Sequence, residues 1–279
     1  MDSKQWVVYN HALIPNIAPN ILPDDSVLDS NEIWKYKHPL FARWITEWDC
    51  GKQTDWWYVI KDECFDISKL KSKRRYEIKK GRRHFSIKVI DASKFKSDIY
   101  DIQVCAYSQY PAKYRPKVVK EKFLENIDSW KESIVFGAFD NNTGELVGYA
   151  RLEPLNELFV NFKVLKTKPK FERYGVNAAM VDGILMYLQD FFDANGILSD
   201  GSRNIKHETN FQDYLIKYFG FRKAYCKLNI KYKPLVKVAV HILYPLRGIL
   251  KKFDNIRPFH LVNGVMLMEG IIRSQKGQG

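Results

Sequence analysis

The stretch from Glu157 to Asp190 limits what this chain can fold into more than any other. Leu158, Val160, Phe162 and Val164 alternate with Phe159, Asn161, Lys163 and Leu165, the period-two pattern of a strand, and a helix opens at Ala178-Ala179-Met180. Between them runs Thr167-Lys168-Pro169-Lys170-Phe171-Glu172-Arg173-Tyr174-Gly175-Val176-Asn177, a basic loop with one proline and one glycine. A strand that passes through a cationic loop straight into a helix presents the free N–H groups of the first helical turn, and the positive end of the helix dipole, at that loop. Such a place favours phosphate or another anion, and Gly175 would let it approach the backbone.

The rest of the chain has the means to bury this unit. With 46% hydrophobic and 14% aromatic residues in 279, a sizeable core is available. Cys50, Cys64, Cys105 and Cys226 are scattered, without Cys-x-x-Cys or zinc-type histidine spacing, so they read as reduced structural thiols and no metal is expected. The N-terminus lacks a charged-then-apolar leader, and no apolar run approaches the roughly 18 residues of a membrane span. These features make the cytoplasm the expected compartment, with the inner membrane face as a peripheral variant. A net charge of +13 implies an anionic partner: a phosphate-bearing cofactor, RNA or an acidic membrane surface.

Taken in order, residues 1–53 are interrupted by Pro15, Pro19, Pro23 and Pro39 and read as an irregular extension, clamped by burial of Trp34, Trp44 and Trp48. A strand at 55–60 and a helix at 67–80 ended by Gly81 follow. Lys69, Lys71, Lys73, Arg74, Arg75, Lys79, Lys80, Arg82 and Arg83 crowd this segment, either as a solvated face or as an anion contact. From Phe85 the pattern predicts strand 85–90, helices near 93–108 and 118–130, strands 133–139 and 145–152 joined by the Asp140–Gly144 turn, and the central strand, loop and helix. A short strand at 196–199, a turn at Asp200-Gly201-Ser202-Arg203, a helix at 207–219 ended by Gly220 and a strand at 221–232 with lysines suited to a sheet edge complete it. The tail from Pro234 to Phe253 carries a wide apolar face with basic flanks, which suits core cover or an anionic membrane surface, core cover being the plainer reading.

Glu172-Arg173-Tyr174-Gly175-Val176-Asn177 resembles the pyrophosphate loop of the GNAT acyltransferase superfamily, Gln/Arg-x-x-Gly-x-Gly/Ala. Glu172 and Asn177 depart from that motif and the central glycine keeps it. Asn210-Phe211-Gln212-Asp213-Tyr214-Leu215-Ile216-Lys217-Tyr218-Phe219-Gly220-Phe221 resembles the family's helix ending in Leu-Tyr-x-x-x-Gly-Phe, and the order β-α-α-β-β-β-α-β-α-β over 85–232 is the family's. Lys73-Arg74-Arg75-Tyr76-Glu77-Ile78-Lys79-Lys80-Gly81 with the strand after it also looks like the segment that introduces the acyl-transferring domain of FemAB-type aminoacyltransferases.

These resemblances imply an α+β, GNAT-like acyltransferase fold with a mixed central sheet and helices on both faces. The expected organisation is an N-terminal extension (1–84), the acyltransferase domain (85–232) and a C-terminal amphipathic tail (233–279). The donor expected first is acyl-CoA, acetyl-CoA above all, with its pantetheine arm along Val164 and Leu165 and its phosphates held by Lys168, Lys170, Arg173, Gly175, Val176 and Asn177, and Asn210 touching it. The alternative donor is aminoacyl-tRNA, and a non-catalytic RNA- or membrane-binding module stands outside both. The acceptor is an amine or hydroxyl, such as an amino sugar or lipid-linked saccharide. Acyl transfer needs a base and an acid. Glu157 and His207 are the candidate bases, Glu157 through partial burial beside Phe159, and Tyr214 or Tyr218 the candidate acids, since the family's tyrosine position is Ile216.

Overall fold

The computed structural model describes residues 5–35, 38–110, 115–204 and 210–277. The strands are β1 (Trp6–Tyr9), β2 (Ala12–Pro15), β3 (Phe41–Thr46), β4 (Trp56–Lys61), β5 (Phe85–Val89), β6 (Ile134–Asp140), β7 (Leu146–Asn156), β8 (Phe159–Thr167), β9 (Ile197–Ser202) and β10 (Arg222–Tyr232). The helices are α1 (Asn31–Lys35), α2 (Ser72–His84), α3 (Lys96–Ser108), α4 (Lys120–Asp128), α5 (Val176–Tyr187), α6 (Gln189–Asp193), α7 (Phe211–Phe219), α8 (Pro234–Leu243), α9 (Arg247–Lys251) and α10 (Arg257–Lys276). The chain divides into two compact units that are discontinuous in sequence: Val59–Gly201 with Asn210–Arg222, and Met1–Tyr58 with Ser202–Thr209 and Lys223–Gly279. The sequence pointed instead to three consecutive segments.

In the first of these units the strands lie in the order β9-β8-β7-β6-β5. β5 to β8 are antiparallel neighbours, whereas β8 and β9 are parallel, which makes the sheet mixed. Successive strand residues face opposite sides. On β6, Val135 therefore enters a cluster with Ile99 and Ile102 of α3, Ile127 of α4 and Trp130, while its neighbour Phe136 meets Tyr187 of α5 edge-on at 5.2 Å. Helices thus cover both faces. Ile99 and Ile102 are fully buried, and truncating either to Ala removes about 2–5 kcal/mol.

α2 is longer than expected and runs through Gly81 to His84. Gly81 serves close packing: a Cβ there would stand 2.6 Å from the Gly175 carbonyl and 2.9 Å from the Ala179 Cβ. Arg82 of α2 forks onto the buried Asp182 of α5, Nε to Oδ2 at 2.6 Å and Nη2 to Oδ1 at 2.8 Å, a bidentate pair that fixes the two helices.

The other unit corrects the irregular-extension reading. Asn10 and His11 take positive φ (47° and 64°), as a two-residue hairpin turn requires, and β1 and β2 pair antiparallel across it. β2 runs parallel to β3, and β3 pairs antiparallel with β10 from Thr46↔Lys227 to Phe41↔Tyr232. β10 is therefore partnered along its lysine-rich half rather than left as an edge. The prolines do not block these strands, because Pro15 ends β2 and Pro39 precedes β3. One face of the sheet meets Met268 and Ile271 of α10, and the other packs Trp6, Leu13, Val27, Leu28 and Ala42, with Trp34 and Trp44 against them.

The tail also differs from its reading as core cover. α8 buries only Val240, leaving Leu235, Val238 and Ile242 exposed, and α10, unmarked in the sequence, supplies Met266, Met268 and Ile271 to the core instead. No helix among the described residues is long and apolar enough to cross a membrane.

Candidate functional site

The candidate site is built where β8 and β9 part. Their parallel register covers only Phe159↔Ile197, Val160↔Leu198 and Asn161↔Ser199. β8 continues to Thr167 with its other edge still paired to β7, so the edge from Phe162 onward is open towards β9. A bulge sits at the parting, since Arg151 opposes Val164 and Leu152 opposes Phe162, leaving Lys163 without an opposite residue in the register, although its Nζ pairs with Glu153 Oε2 of β7 at 2.6 Å. A bulge re-aims the strand and changes which residues face which side. Phe162 packs edge-on against Phe211 of α7 at 5.7 Å, whereas Val164 packs against the α3–α4 cluster on the other face. Val164 and Leu165, the residues expected to meet an extended donor, lie on this open edge, whose backbone groups can accept a further chain as a strand would.

Asp200 of β9 stands one residue past the last β8–β9 pair, opposite Phe162 if the register is continued. The side-chain amide of Gln212, a buried residue in the first turn of α7, donates to the Asp200 backbone carbonyl at 3.5 Å and lies near its carboxylate, and burial pushes the carboxyl up to about 7. The cause is desolvation, which disfavours the charged form, and the Gln212 amide opposes it only in part. A half-buried carboxyl that titrates near neutrality beside an open strand edge has the properties of a general base. The sequence reading placed Asp200 in an Asp-Gly-Ser-Arg turn. In the structure the strand extends through Ser202, and Gly201 takes the positive φ of 86° within it.

Of the expected bases, Glu157 is exposed in the β7–β8 turn while Phe159 is fully buried. The partial burial expected to tune it does not occur. It also lies at the opposite end of β8 from the basic loop, roughly 30 Å away at about 3.3 Å per strand residue. His207 lies outside the described residues.

Tyr214 and Tyr218 come together with α2. The Arg74 guanidinium lies 3.3 Å from the centre of the Tyr218 ring and 5.8 Å from that of Tyr214, and Arg74 pairs with Glu77 one turn on. Burial raises the Tyr214 hydroxyl; a hydrogen bond with Lys217, aided by Arg74, lowers that of Tyr218. Both rings are therefore part of the α2–α7 contact. Asn210 is exposed at the α7 N-terminus, where its carbonyl accepts from the Tyr214 N–H at 2.9 Å.

The basic loop forms a 3₁₀ turn, Pro169–Tyr174, before α5. Its cations have protein partners. Lys168 Nζ meets Glu145 Oε1 at 2.7 Å and Lys170 Nζ meets Oε2 at 3.7 Å, and the Lys168 bond holds the Glu145 carboxyl below the usual carboxylate range. Arg173 Nη2 donates to the Tyr174 hydroxyl at 2.7 Å. Gly175 has the positive φ of 85° that favours glycine, but the close approach it permits is taken by α2: a Cβ at Gly175 would lie 3.0 Å from the Glu77 carbonyl and 3.3 Å from the Gly81 N. Val176 is fully buried, and the Asn177 side chain accepts from the Thr167 hydroxyl at 2.9 Å. The loop expected to cradle pyrophosphate is thus the seat of a helix, with Lys168 and Lys170 sharing the single carboxylate of Glu145 and Arg173 on a neutral hydroxyl.

The basic run on α2 divides in two. Arg74, Arg75, Lys80, Arg82 and Arg83 each bind a protein group, Arg83 through Nε to the Lys79 carbonyl at 3.4 Å, while Lys69, Lys71, Lys73 and Lys79 are exposed. On the α3–α4 face, Lys166 lies over the Tyr107 and Tyr110 rings at 5.1 and 5.4 Å, and Arg151 over Trp130 at 4.7 Å with its buried Nε lacking a hydrogen-bond partner. No group of three metal-ligating side chains occurs among the described residues.

No family model matches the sequence, and no curated protein matches it. Among solved structures, FemX is similar at a TM-score of 0.54 and 9% identity, over 77% of this chain and 78% of that one. L-PGS from Bacillus licheniformis gives a TM-score of 0.48 at 10% identity, over 85% of this chain and 83% of that one. The C-terminal domain of a putative lysylphosphatidylglycerol synthetase from Agrobacterium fabrum gives 0.49 at 10% identity, over 85% and 82%. The mixed sheet, the helices on both faces and the parting of β8 from β9, together with the likeness to FemX, make this a mixed α/β fold of GNAT-like architecture.

Proposed function

We propose that the chain is an aminoacyltransferase, which moves an aminoacyl group from the ester of a charged tRNA to an acceptor amine. The observation that carries this reading is the seating of α2, backbone against backbone, on Gly175. A CoA pyrophosphate needs that glycine bare and the loop cations free; here α2 lies on the glycine and Glu145 answers Lys168 and Lys170. The exposed row Lys69, Lys71, Lys73 and Lys79 instead suits a polyphosphate backbone that never enters the loop. The resemblance of residues 73–90 to FemAB-type enzymes and the FemX-like fold support the same choice.

In this mechanism the aminoacyl end enters the opening between β8 and β9 and pairs with the free edge at Val164 and Leu165. Backbone N–H groups there stabilise the oxyanion as the acceptor nitrogen attacks the ester carbon. Asp200 takes the proton from that nitrogen. The C–N bond forms, the C–O bond to the ribose breaks, and the proton is returned to the departing 3′-oxygen. Lys166 and Arg151, on the side away from α5, offer cations to an acceptor carrying phosphate or carboxylate, as a lipid-linked saccharide does. The exposed apolar face of α8, flanked by Lys233 and Lys237, would hold the protein at an anionic membrane surface.

Label transfer tests the reading. tRNA charged with a mixture of radiolabelled amino acids is incubated with the protein and a cell's lipid-linked and amine-containing fraction. Label in an alkali-stable amide, lost in Asp200→Asn, is the expected result. Transfer of label from acetyl-CoA and none from any charged tRNA would assign the donor to CoA.

A further inference from the structure

Arg43 is a half-buried charge with no carboxylate opposite it among the described residues. It projects from β3 between Phe41 and Ile45, both buried in the same apolar cluster. Among the described residues its hydrogen bond runs from Nη1 to the Met268 sulfur at 3.7 Å, a weak acceptor, and its guanidinium lies 5.6 Å from the centre of the Trp56 ring. No carboxylate is within ion-pair reach of it among the described residues. Trp56 is itself 2% exposed, and its indole N–H has no acceptor. The unanswered Trp56 donor and the half-buried Arg43 cation therefore lie together in a largely apolar layer, where a polar group without a partner costs free energy.

A cavity of about 100 Å³ opens beside them. Arg43, Trp56 and Tyr58 form one wall, and Ala18, Pro19 and Ile21, from the proline-rich segment after β2, form the other. The walls are apolar and aromatic apart from Arg43, and the space takes a head group and the first carbons of a stem, the rest lying along the 18–21 segment, rather than a whole cofactor. Burial works against the Arg43 charge and raises the Tyr58 hydroxyl to about 12, so the site has one anion receptor and no competing anion of its own.

We propose that this cavity binds an amphiphile with a carboxylate or phosphate head, the head seated on Arg43 and the apolar stem against the 18–21 segment. The proposal is independent of the transferase reading, because none of its residues belongs to the β8–β9 site.

Calorimetric titration with decanoate, decyl phosphate and decanol tests it on the full chain. Either anion should bind about tenfold or more tighter than decanol, the effect of charge-assisted hydrogen bonds in a desolvated site. Arg43→Met should abolish that preference and leave decanol within about twofold of its wild-type value. The thermal midpoint of Arg43→Met gives a second readout, since replacing an unpaired half-buried charge by an apolar chain of similar length holds or raises it. Equal binding of decanoate and decanol, no binding of any probe, an unchanged preference in Arg43→Met, or a lowered midpoint would overturn the proposal. Titration with short-chain, water-soluble phosphatidylglycerol separates the sources: binding that Arg43→Met weakens assigns the head to a membrane lipid, and no binding of it beside binding of decanoate or decyl phosphate assigns it to a free amphiphile.

Discussion

Asp200 is a carboxyl placed where ionisation costs free energy, and two measurements read that cost. The folded-state value of about 7 lies above the unfolded value of 3.8, so folded protein holds a proton that unfolded chain has lost between those limits. Stability is undiminished below about pH 4, falls as pH rises towards 7, and stays lowered above it. Asp200→Asn removes the effect. Its melting temperature should match wild type at pH 4 and exceed it at pH 8 by roughly 2–4 °C for each kcal/mol relieved. The same substitution should lower kcat/KM by about 100- to 10,000-fold and remove the rise in rate through pH 7 that a base of this pKa produces. A variant that gains no stability at pH 8 and keeps the acidic limb would take Asp200 out of the role. The sequence concealed this residue for a physical reason: Asp followed by Gly is the composition of a turn, and only the neighbouring strands hold Asp200 to Ser202 extended. Glu157 misled in the opposite way, because its position beside a buried strand does not stop a hairpin turn from turning it outward.

Elements with a strong local signal were legible. β8, the hairpin at 140–144, α5 and the end of α7 at Gly220 all follow from period, turn residues and a glycine of positive φ, 68° at Gly220. β1 to β3 were not, because their pairing is non-local: β3 is held by β10, about 180 residues on, and no local pattern records it. The same limit hid the role of α2. Its basic residues announce an anion, but only the packed chain shows that Gly81 and Gly175 let it lie on the donor loop. Gly175→Ala combines a positive φ with a Cβ 3.0 Å from the Glu77 carbonyl, and should cost about 1–3 kcal/mol in urea unfolding. An unchanged midpoint would mean that α2 is not seated there. The tail makes a prediction of its own. Leu235 is 85% exposed and Ile242 62%, next to Lys233, Lys237 and His241, so the protein should pellet with anionic vesicles and be released as salt screens the attraction, over about 10 Å at 0.1 M. Pelleting that ignores salt, or none at all, contradicts an interfacial helix.

For the whole molecule, the net charge of +13 and the fold bear on the donor in different ways. Charge alone admits CoA, RNA and membrane equally. The proposed choice of charged tRNA rests on α2 packing against Gly175, on Glu145 engaging Lys168 and Lys170, and on the exposed Lys69, Lys71, Lys73 and Lys79. The measurement that bears most directly on the account is a paired titration of wild-type protein with acetyl-CoA and with aminoacyl-tRNA. The account predicts binding of the charged tRNA, weakening steeply with salt and losing slope when Lys71, Lys73 and Lys79 are changed to Ala, because removing one lysine–phosphate pair lowers the slope by about one. It predicts no saturable binding of acetyl-CoA. Micromolar acetyl-CoA affinity that falls when Lys168 and Arg173 are replaced by Ala, with no binding of charged tRNA, would contradict it.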